Sequence, residues 1–251
     1  MTAFTVVIPA RFGSQRLPGK PLIDLDGKSM IERVYEQASL SRASRVVVAT
    51  DDQRIADAVR GFGGEYCMTR NDHVSGTDRV QEVASKLKLT PEQKVVNVQG
   101  DEPLIPPEVI NQVAEMLDQS NAPMTTLSEP IESTQDLMDP NIVKVVTDQR
   151  GNALYFSRAP IPWDRDRPDD NPSSAMRHIG IYGYRVSLLN EFVGWPEGQL
   201  EQLEKLEQLR IMEQGIRINV ARSVKKIPPG IDTASDLERT LAVLKAANGI
   251  I

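Results

Sequence analysis

The feature that most narrows the fold is an alternation of short apolar runs with amphipathic ones through residue 119 of the 251-residue chain. "FTVVIP" (4–9), "RVVVAT" (45–50) and "KVVNVQ" (94–99) are of strand length and almost continuously apolar. A strand with one wet face would alternate instead, so these read as strands buried on both sides. Between and after them come helical patterns. "SMIERVYEQA" (29–38) carries Ser29 and Glu32 at capping-box spacing. "DDQRIADAVRGFGG" (51–64) opens with aspartate and closes with glycine. "TDRVQEVASKLKL" (77–89) follows, and "PEVINQVAEMLDQ" (107–119) places proline in its first turn. This order predicts an α/β fold, Rossmann-like, with a mostly parallel central sheet covered on both faces. Such sheets bind ligands beyond the carboxyl ends of their strands, which selects the segments after Pro9, Thr50 and Gln99.

From residue 123 to about 190 the pattern becomes β-rich: "MTTLSEPI", "NIVKVVTD", "NALYFSRAPIPW" and "RHIGIYGYRV" are separated by Pro- and Asp-rich turns. An inserted β-rich subdomain over 123–190 is expected within a single domain of 1–251, with "DRDRPDDNPSS" (164–174) as its mobile loop. "LEQLEKLEQLRIMEQG" (200–215) predicts one helix whose Leu200, Leu203, Leu206 and Leu209 form a core stripe. A strand "IRINVA" (216–221), a turn "KIPPGID" (226–232) and a last helix from Thr233 complete the chain.

Composition removes several function classes. The net charge of −6 argues against a nucleic-acid binder. One cysteine, Cys67, and two histidines, His73 and His178, exclude an intrachain disulfide and a Cys/His zinc site. A metal here would be a hard ion held by carboxylates, such as magnesium. No apolar run approaches 18 residues, and "MTAFTVVIPAR" lacks the features of a secretory signal, so a cytoplasmic, enzyme-like protein is expected. Cys67, Trp163 and Trp195 read as packing, and His73 as a surface or supporting residue.

Three segments carry chemistry. In "PARFGSQRLPGKP" glycines let backbone N–H groups approach an anion, Ser14 adds a hydroxyl, and Arg11, Arg16 and Lys20 add charge. The spacing is neither that of a Walker A loop nor GxGxxG. In "NVQGDEPLIPP" Asp101 follows a buried strand directly, where a carboxylate either caps the next helix or holds a metal. In "PPGIDTASDLE" Thr233 and Asp236 suit a helix cap, while Asp232 paired with Asp101 would complete a two-carboxylate magnesium site.

"IPARFGSQRLPGKPL", "VATDD", "CMTRNDHVSGTDR", "NVQGDEPLIP", "ALYFSRAPIPWDRD", "RHIGIYGYR", "LEKLEQLR" and "IDTASDLE", in this order, resemble the 3-deoxy-manno-octulosonate (Kdo) cytidylyltransferases along essentially the whole chain. The first motif alone is shared with CMP-sialic acid synthetases; the set is specific. The family commonly has a proline after the threonine of its last motif, where Ala234 stands here.

The resemblance implies a nucleotide-diphospho-sugar transferase fold, a homodimer formed through the insert, and the conversion of CTP and Kdo to CMP-Kdo and pyrophosphate with Mg2+, for lipopolysaccharide biosynthesis. It implies Ala10, Arg11, Ser14, Arg16 and Lys20 along the nucleotide phosphates, and Ser75, Gly76, Thr77, Arg79 and Gln99 around the cytidine. Asp101 and Asp232 would hold the metal, with Lys20 catalytic beside them. Arg158, His178, Tyr182, Glu207 and Gln208 would meet the sugar acid, the first two at its carboxylate. The alternatives are another acidic sugar, such as amino-Kdo or sialic acid, and a non-catalytic nucleotide-binding regulatory protein.

Overall fold

Val6 and Ile8 point to one side of β1 (Phe4–Pro9) and Val7 to the other, and all three are fully buried. A strand apolar on both sides sits only in a sheet covered twice, and that is the architecture of the computed structural model, which describes residues 3–13, 17–73, 75–166 and 174–247. β2 (Arg45–Thr50) and β4 (Lys94–Asn97) flank β1 in parallel, and β3 (Tyr66–Met68) adds to β2. Beyond β4 the sheet continues through β8 (Met176–Arg185), β5 (Met124–Pro130) and β9 (Ile218–Arg222), in the order β3-β2-β1-β4-β8-β5-β9. β8 is antiparallel to β4 and β5, while β9 is parallel to β5, so β8 alone runs against the rest of this path. The mostly parallel α/β sheet expected from the sequence is present.

One face is covered by α1 (Met30–Ser39), α2 (Gln53–Gly61) and α4 (Pro107–Gln119), through Ile31, Val34, Ile55, Val59, Val109 and Val113 against Val6, Ile8, Val48 and Val96. The other is covered by α3 (Gly76–Lys86), α6 (Val186–Phe192) and α8 (Gln208–Glu213), through Val80, Val83, Leu189, Phe192 and Leu209 against Val7, Val47 and Val95. The caps read from sequence form: Ser29 Oγ accepts from Glu32 N at 3.3 Å, and Asp52 accepts from Arg54 N at 2.9 Å.

The residues expected to form an insert divide between two places. β5 and β8 belong to the central sheet, the short α5 (Thr134–Met138) follows β5, and β6 (Lys144–Thr147) with β7 (Ala153–Ser157) forms an antiparallel hairpin that joins the start of β8. Lys144 ties this hairpin down: its ammonium is fully buried and donates to the carbonyls of Asp139, Ile142 and Arg158 at 2.9, 2.6 and 2.7 Å. Much of "DRDRPDDNPSS" lies outside the described residues. Trp163 is exposed rather than packed, whereas Trp195 packs edge-on against Phe192.

The single helix expected over 200–215 is two. α7 (Gln199–Glu204) ends at Lys205, whose φ of 53° is left-handed and whose N–H closes on Glu201 O at 2.7 Å. The chain turns, and α8 restarts with Glu207 at its N-cap. The leucine stripe therefore breaks: Leu206 and Leu209 are buried, but Leu203 is exposed.

A small third core sets the position of the last helix, α9 (Ala234–Ala247). Leu25, Met30, Ile231 and Leu244 are buried together, with Leu17, Ile23, Leu237 and Leu241 packed against them. Ile231→Ala should weaken this docking by about 2 kcal/mol or more, accelerating amide exchange in 234–247 more than tenfold (about 1.4 kcal/mol per decade) while β1 stays protected. Equal protection in both proteins would show that this core does not position α9.

Candidate active site

The carboxyl ends of β1 and β4 meet at Gly100. A Cβ there would come within 2.7 Å of Pro9 O, so only glycine lets the two loops approach so closely. Ala10 N–H donates to Ala49 O at 2.8 Å, which ties the start of the basic loop to β2. The loop folds back where Gly19, at φ 68°, donates to Phe12 O at 3.3 Å, and a 3-10 turn at Lys20–Leu22 follows. The side of Phe12 is covered by the Arg54 guanidinium, 3.3 Å above its ring. Ser14 and Arg16 lie outside the described residues.

Lys20 and both candidate metal ligands come together here. Lys20 Nζ donates to Asp101 Oδ2 at 2.7 Å and to Asp232 Oδ1 at 2.9 Å. The turn carrying Asp232 is fixed to the Asp101 loop by Ile231 N–H donating to Asp101 O at 2.9 Å. Capping of α9 is done by its neighbours: Asp236 Oδ2 accepts from Thr233 N and Asp232 N at 2.8 and 3.1 Å. Two carboxylates converging on the width of one cation fit magnesium, which takes one or two carboxylates with substrate phosphates. Among the described residues no cluster of three or more His, Cys, Asp or Glu is arranged to hold a metal, so the remaining donors would come from phosphate and water.

A cavity of about 690 Å³ opens over this point, lined by Ala10, Arg11, Lys20, Ser75, Gly76, Arg79, Gln99, Asp101 and Asp232, and also by His73. The N-terminus of α3 reaches it through a complete capping box, in which Ser75 Oγ accepts from Asp78 N and Asp78 Oδ2 from Ser75 N, both at 3.1 Å. Arg79 is buried and its charge is met by Asp51 Oδ2 at 2.9 Å, beyond the end of β2, and by the Thr69 hydroxyl. Gln99 Nε2 donates to Gly180 O at 3.2 Å. Thr77 is not on the lining; it sits behind, hydrogen bonded to Glu207 and Tyr184.

His73 is held by Glu82, whose Oε2 also accepts from Arg70 N at 2.9 Å. Burial raises the Glu82 carboxyl, but donation from Lys86, His73 and Arg70 N outweighs it and brings its pKa to about 2. Glu82 is thus a fixed anion stapling the 70–73 loop to α3. Sequence reasoning put His73 at the periphery. The histidine at a loop's end, nine residues before a glutamate on the following helix, was the available signal.

A second group of expected residues gathers at β8 and α8. The Tyr182 hydroxyl approaches Gln208 Oε1 at 3.4 Å, and the His178 ring lies 5.4 Å from that of Tyr182. The Glu207 carboxyl is pushed up by burial, against the hydroxyls of Thr77 and Ser75, which favour its charged form. Glu207 and Gln208 reach one place because the break at Lys205 puts them at a helix start. Glu102 joins them from the Asp101 loop; burial, then the Asp101 charge, push its carboxyl up to about 8. Sequence reasoning missed Glu102 and Asn97, although a polar residue inside the apolar run "KVVNVQ" is a signal of function. Arg158 stands apart: its guanidinium donates to Glu204 O, Pro140 O and Lys205 O at 2.6, 2.8 and 3.4 Å, closing the end of α7.

His178 is not charged near neutrality. The Thr126 hydroxyl lies 2.8 Å from Ile181 O and 3.0 Å from Ile179 O, so it donates to a carbonyl and accepts from His178 Nε2–H at 3.0 Å. Burial pushes the imidazole pKa down to about 3.

Residues 5–220 match the family described as cytidylyltransferase. The chain belongs to that family. A relative from Saccharophagus degradans, named 3-deoxy-manno-octulosonate cytidylyltransferase, is 56% identical over 253 residues, covering 97% of this chain and 99% of its own. One of the same name from Photobacterium profundum is 53% identical over 246 residues, covering 96% and 99%. A solved structure of CMP:2-keto-3-deoxy-manno-octonic acid synthetase complexed with CTP superposes with a TM-score of 0.91 at 44% identity, over 98% of this chain and 100% of that one. The 4-diphosphocytidyl-2C-methyl-D-erythritol synthase of Anaerococcus prevotii, 12% identical with a TM-score of 0.64, shares the fold.

The depressed His178 has a pH consequence. Unfolded, an imidazole titrates near 6.5; folded, His178 titrates near 3. Between these values the unfolded state binds the extra proton, so stability rises with pH there. The contribution is complete above about pH 6.5 and is lost as pH falls toward 3. His178→Gln should flatten the dependence of unfolding free energy on pH between 6.5 and 4. An unchanged slope would show that His178 titrates normally.

Proposed function

We propose that this chain converts CTP and Kdo to CMP-Kdo and pyrophosphate, activating the sugar acid for lipopolysaccharide biosynthesis. The observation that carries the reading is the convergence of Lys20, Asp101 and Asp232 in a cavity beyond the carboxyl ends of β1 and β4, in a chain 56% identical to a relative bearing that name. In the reaction the 2-hydroxyl oxygen of the sugar bonds to the α-phosphorus, the bond from that phosphorus to the bridging oxygen breaks, pyrophosphate leaves with the electron pair, and the hydroxyl proton ends on solvent.

Positioning and charge do most of the work in such a transfer. Arg11 and Lys20, on the cavity lining, would meet the triphosphate. Ser75 and Gly76, at the N-terminus of α3, would enclose the cytidine. Asp101 and Asp232 would hold Mg2+, which when bound offsets phosphate charge and lowers the pKa of a coordinated hydroxyl. Neutral His178, with Nε2–H given to Thr126, offers Nδ1 as an acceptor, which suits a sugar hydroxyl better than the carboxylate. Tyr182, Glu207 and Gln208 supply the remaining polar contacts. The cytoplasm, where CTP is made, is the proposed compartment. A homodimer belongs to the same reading; the chain between β5 and β8 exposes Met138, Leu154 and Trp163.

Pyrophosphate release with CTP, assayed against Kdo, amino-Kdo and sialic acid, should be fastest with Kdo. Release with sialic acid alone would move the substrate, and release with none would leave a nucleotide-binding protein. Asp101→Asn and Asp232→Asn should each lower kcat by about 10²–10³ with an unchanged unfolding midpoint. Near-normal turnover in either variant would remove that carboxylate from the site.

A further inference from the structure

Among the described residues five buried side-chain polar atoms have no hydrogen-bond partner: Asn97 Oδ1, Glu102 Oε2, Ser120 Oγ, Glu207 Oε1 and Gln208 Nε2. Ser120 lies at the end of α4. The other four belong to residues around Tyr182. Asn97 faces Tyr182 across the β4–β8 pairing, and Gln208 meets its hydroxyl. Burial raises the Tyr182 hydroxyl, and the nearby carboxyls of Glu207 and Glu102 raise it further. Buried polar atoms are nearly always paired, so four orphans about one side chain, at the ligand-binding end of a sheet, mark a place that something polar fills.

Register fixes which way Asn97 points. Directly opposed residues of an antiparallel pair project from the same face. Val95 and Tyr184, one such pair, both lie in the core beneath α3, α6 and α8. Asn97 and Tyr182 project from that same face, two residues nearer the carboxyl end of β4, where Gln208 begins α8. Asn97 is 3% exposed, so its unpaired oxygen is desolvated without compensation.

The orphans also define the chemistry of their partner. Asn97 Oδ1 accepts and Gln208 Nε2 donates. A group that only accepts, such as phosphate or carboxylate, leaves Asn97 Oδ1 unsatisfied. Hydroxyls donate and accept, and a polyhydroxylated ligand presents several. We propose that Asn97 is a substrate-binding residue whose Oδ1 accepts a hydrogen bond from a hydroxyl of the sugar acid, in the pocket formed with Tyr182, Glu207 and Gln208. This rests on the reading of the chain as an enzyme acting on an acidic sugar.

A residue kept for its ligand has a signature that a structural residue lacks. Replacing a buried unpaired amide by an apolar side chain of similar size is neutral or stabilising, whereas losing a substrate hydrogen bond weakens binding about 10- to 100-fold. Asn97→Leu should therefore unfold at the same or a higher urea concentration than wild type, raise KM for Kdo about 10- to 100-fold, and leave KM for CTP within about twofold. Among monodeoxy analogues of Kdo, one should be used poorly by wild type and no worse than Kdo itself by Asn97→Leu. An unchanged KM for Kdo would overturn the proposal. So would a variant that is destabilised or fails to fold, because Asn97 would then be a structural group. If wild-type protein releases no pyrophosphate from any acidic sugar, the enzymatic reading itself fails and takes this one with it. Normal wild-type turnover with an indifferent Asn97→Leu removes only Asn97.

Discussion

The cavity depends on two carboxylates, far apart in sequence, being held within reach of one ammonium nitrogen. Left alone they would repel, and Lys20 between them offsets one of the two charges. Lys20 does not assemble them, however. Asp232 is half exposed, and an exposed ion pair is worth about 0–1 kcal/mol. Burying Ile231 among Leu25, Met30 and Leu244 is worth about 1.5–3 kcal/mol. The Ile231 N–H to Asp101 O bond and the bare Cα of Gly100 then fix the spacing of the two loops. Packing and backbone geometry bring the acids together; the lysine makes that arrangement tolerable.

The cavity lining and the residues around Tyr182 differ in electrostatic design. Around the cavity, charges are paired: Arg79 with Asp51, and Lys86 with Glu82, which also takes hydrogen bonds from His73 and Arg70 N. Around Tyr182 they are not. Glu102 and Glu207 are held above the ordinary carboxylate range by burial, and His178 below the ordinary imidazole range. The groups around Tyr182 are set for hydrogen bonding, whereas the cavity lining carries the ionic groups of Lys20, Asp101 and Asp232.

Much of the fold was legible from pattern. β1, β2 and β4 were visible because both faces of a parallel strand are apolar, and α1, α2 and α4 because caps and proline positions announce themselves. The break between α7 and α8 was not. "LEKLEQLR" keeps helical spacing throughout, and only the left-handed Lys205, closed by Glu201 O and flanked by the Arg158–Glu204 contact, stops the helix. Of these partners Arg158 lies just beyond β7, remote from α7 in sequence. The placement of β5 and β8 inside the main sheet was likewise invisible, because alternating runs do not say which neighbours they pair with. Lys20, Asp101 and Asp232 could be named from their positions after strands and turns. Arg158 could be named too, but its guanidinium closes a helix end outside the cavity lining.

The sequence by itself determined the class of sheet, the strand ends beyond which the cavity opens, and the family, because these depend on residue type and local order. Only the tertiary structure decided that Asp232 meets Asp101 on Lys20, that Glu207 and Gln208 start a helix, that His178 is neutral, and that Asn97 lies unpaired beside Tyr182. Each of these depends on burial and on contacts between residues remote in the chain. Local pattern carries no record of desolvation or of which distant group lies within hydrogen-bonding distance.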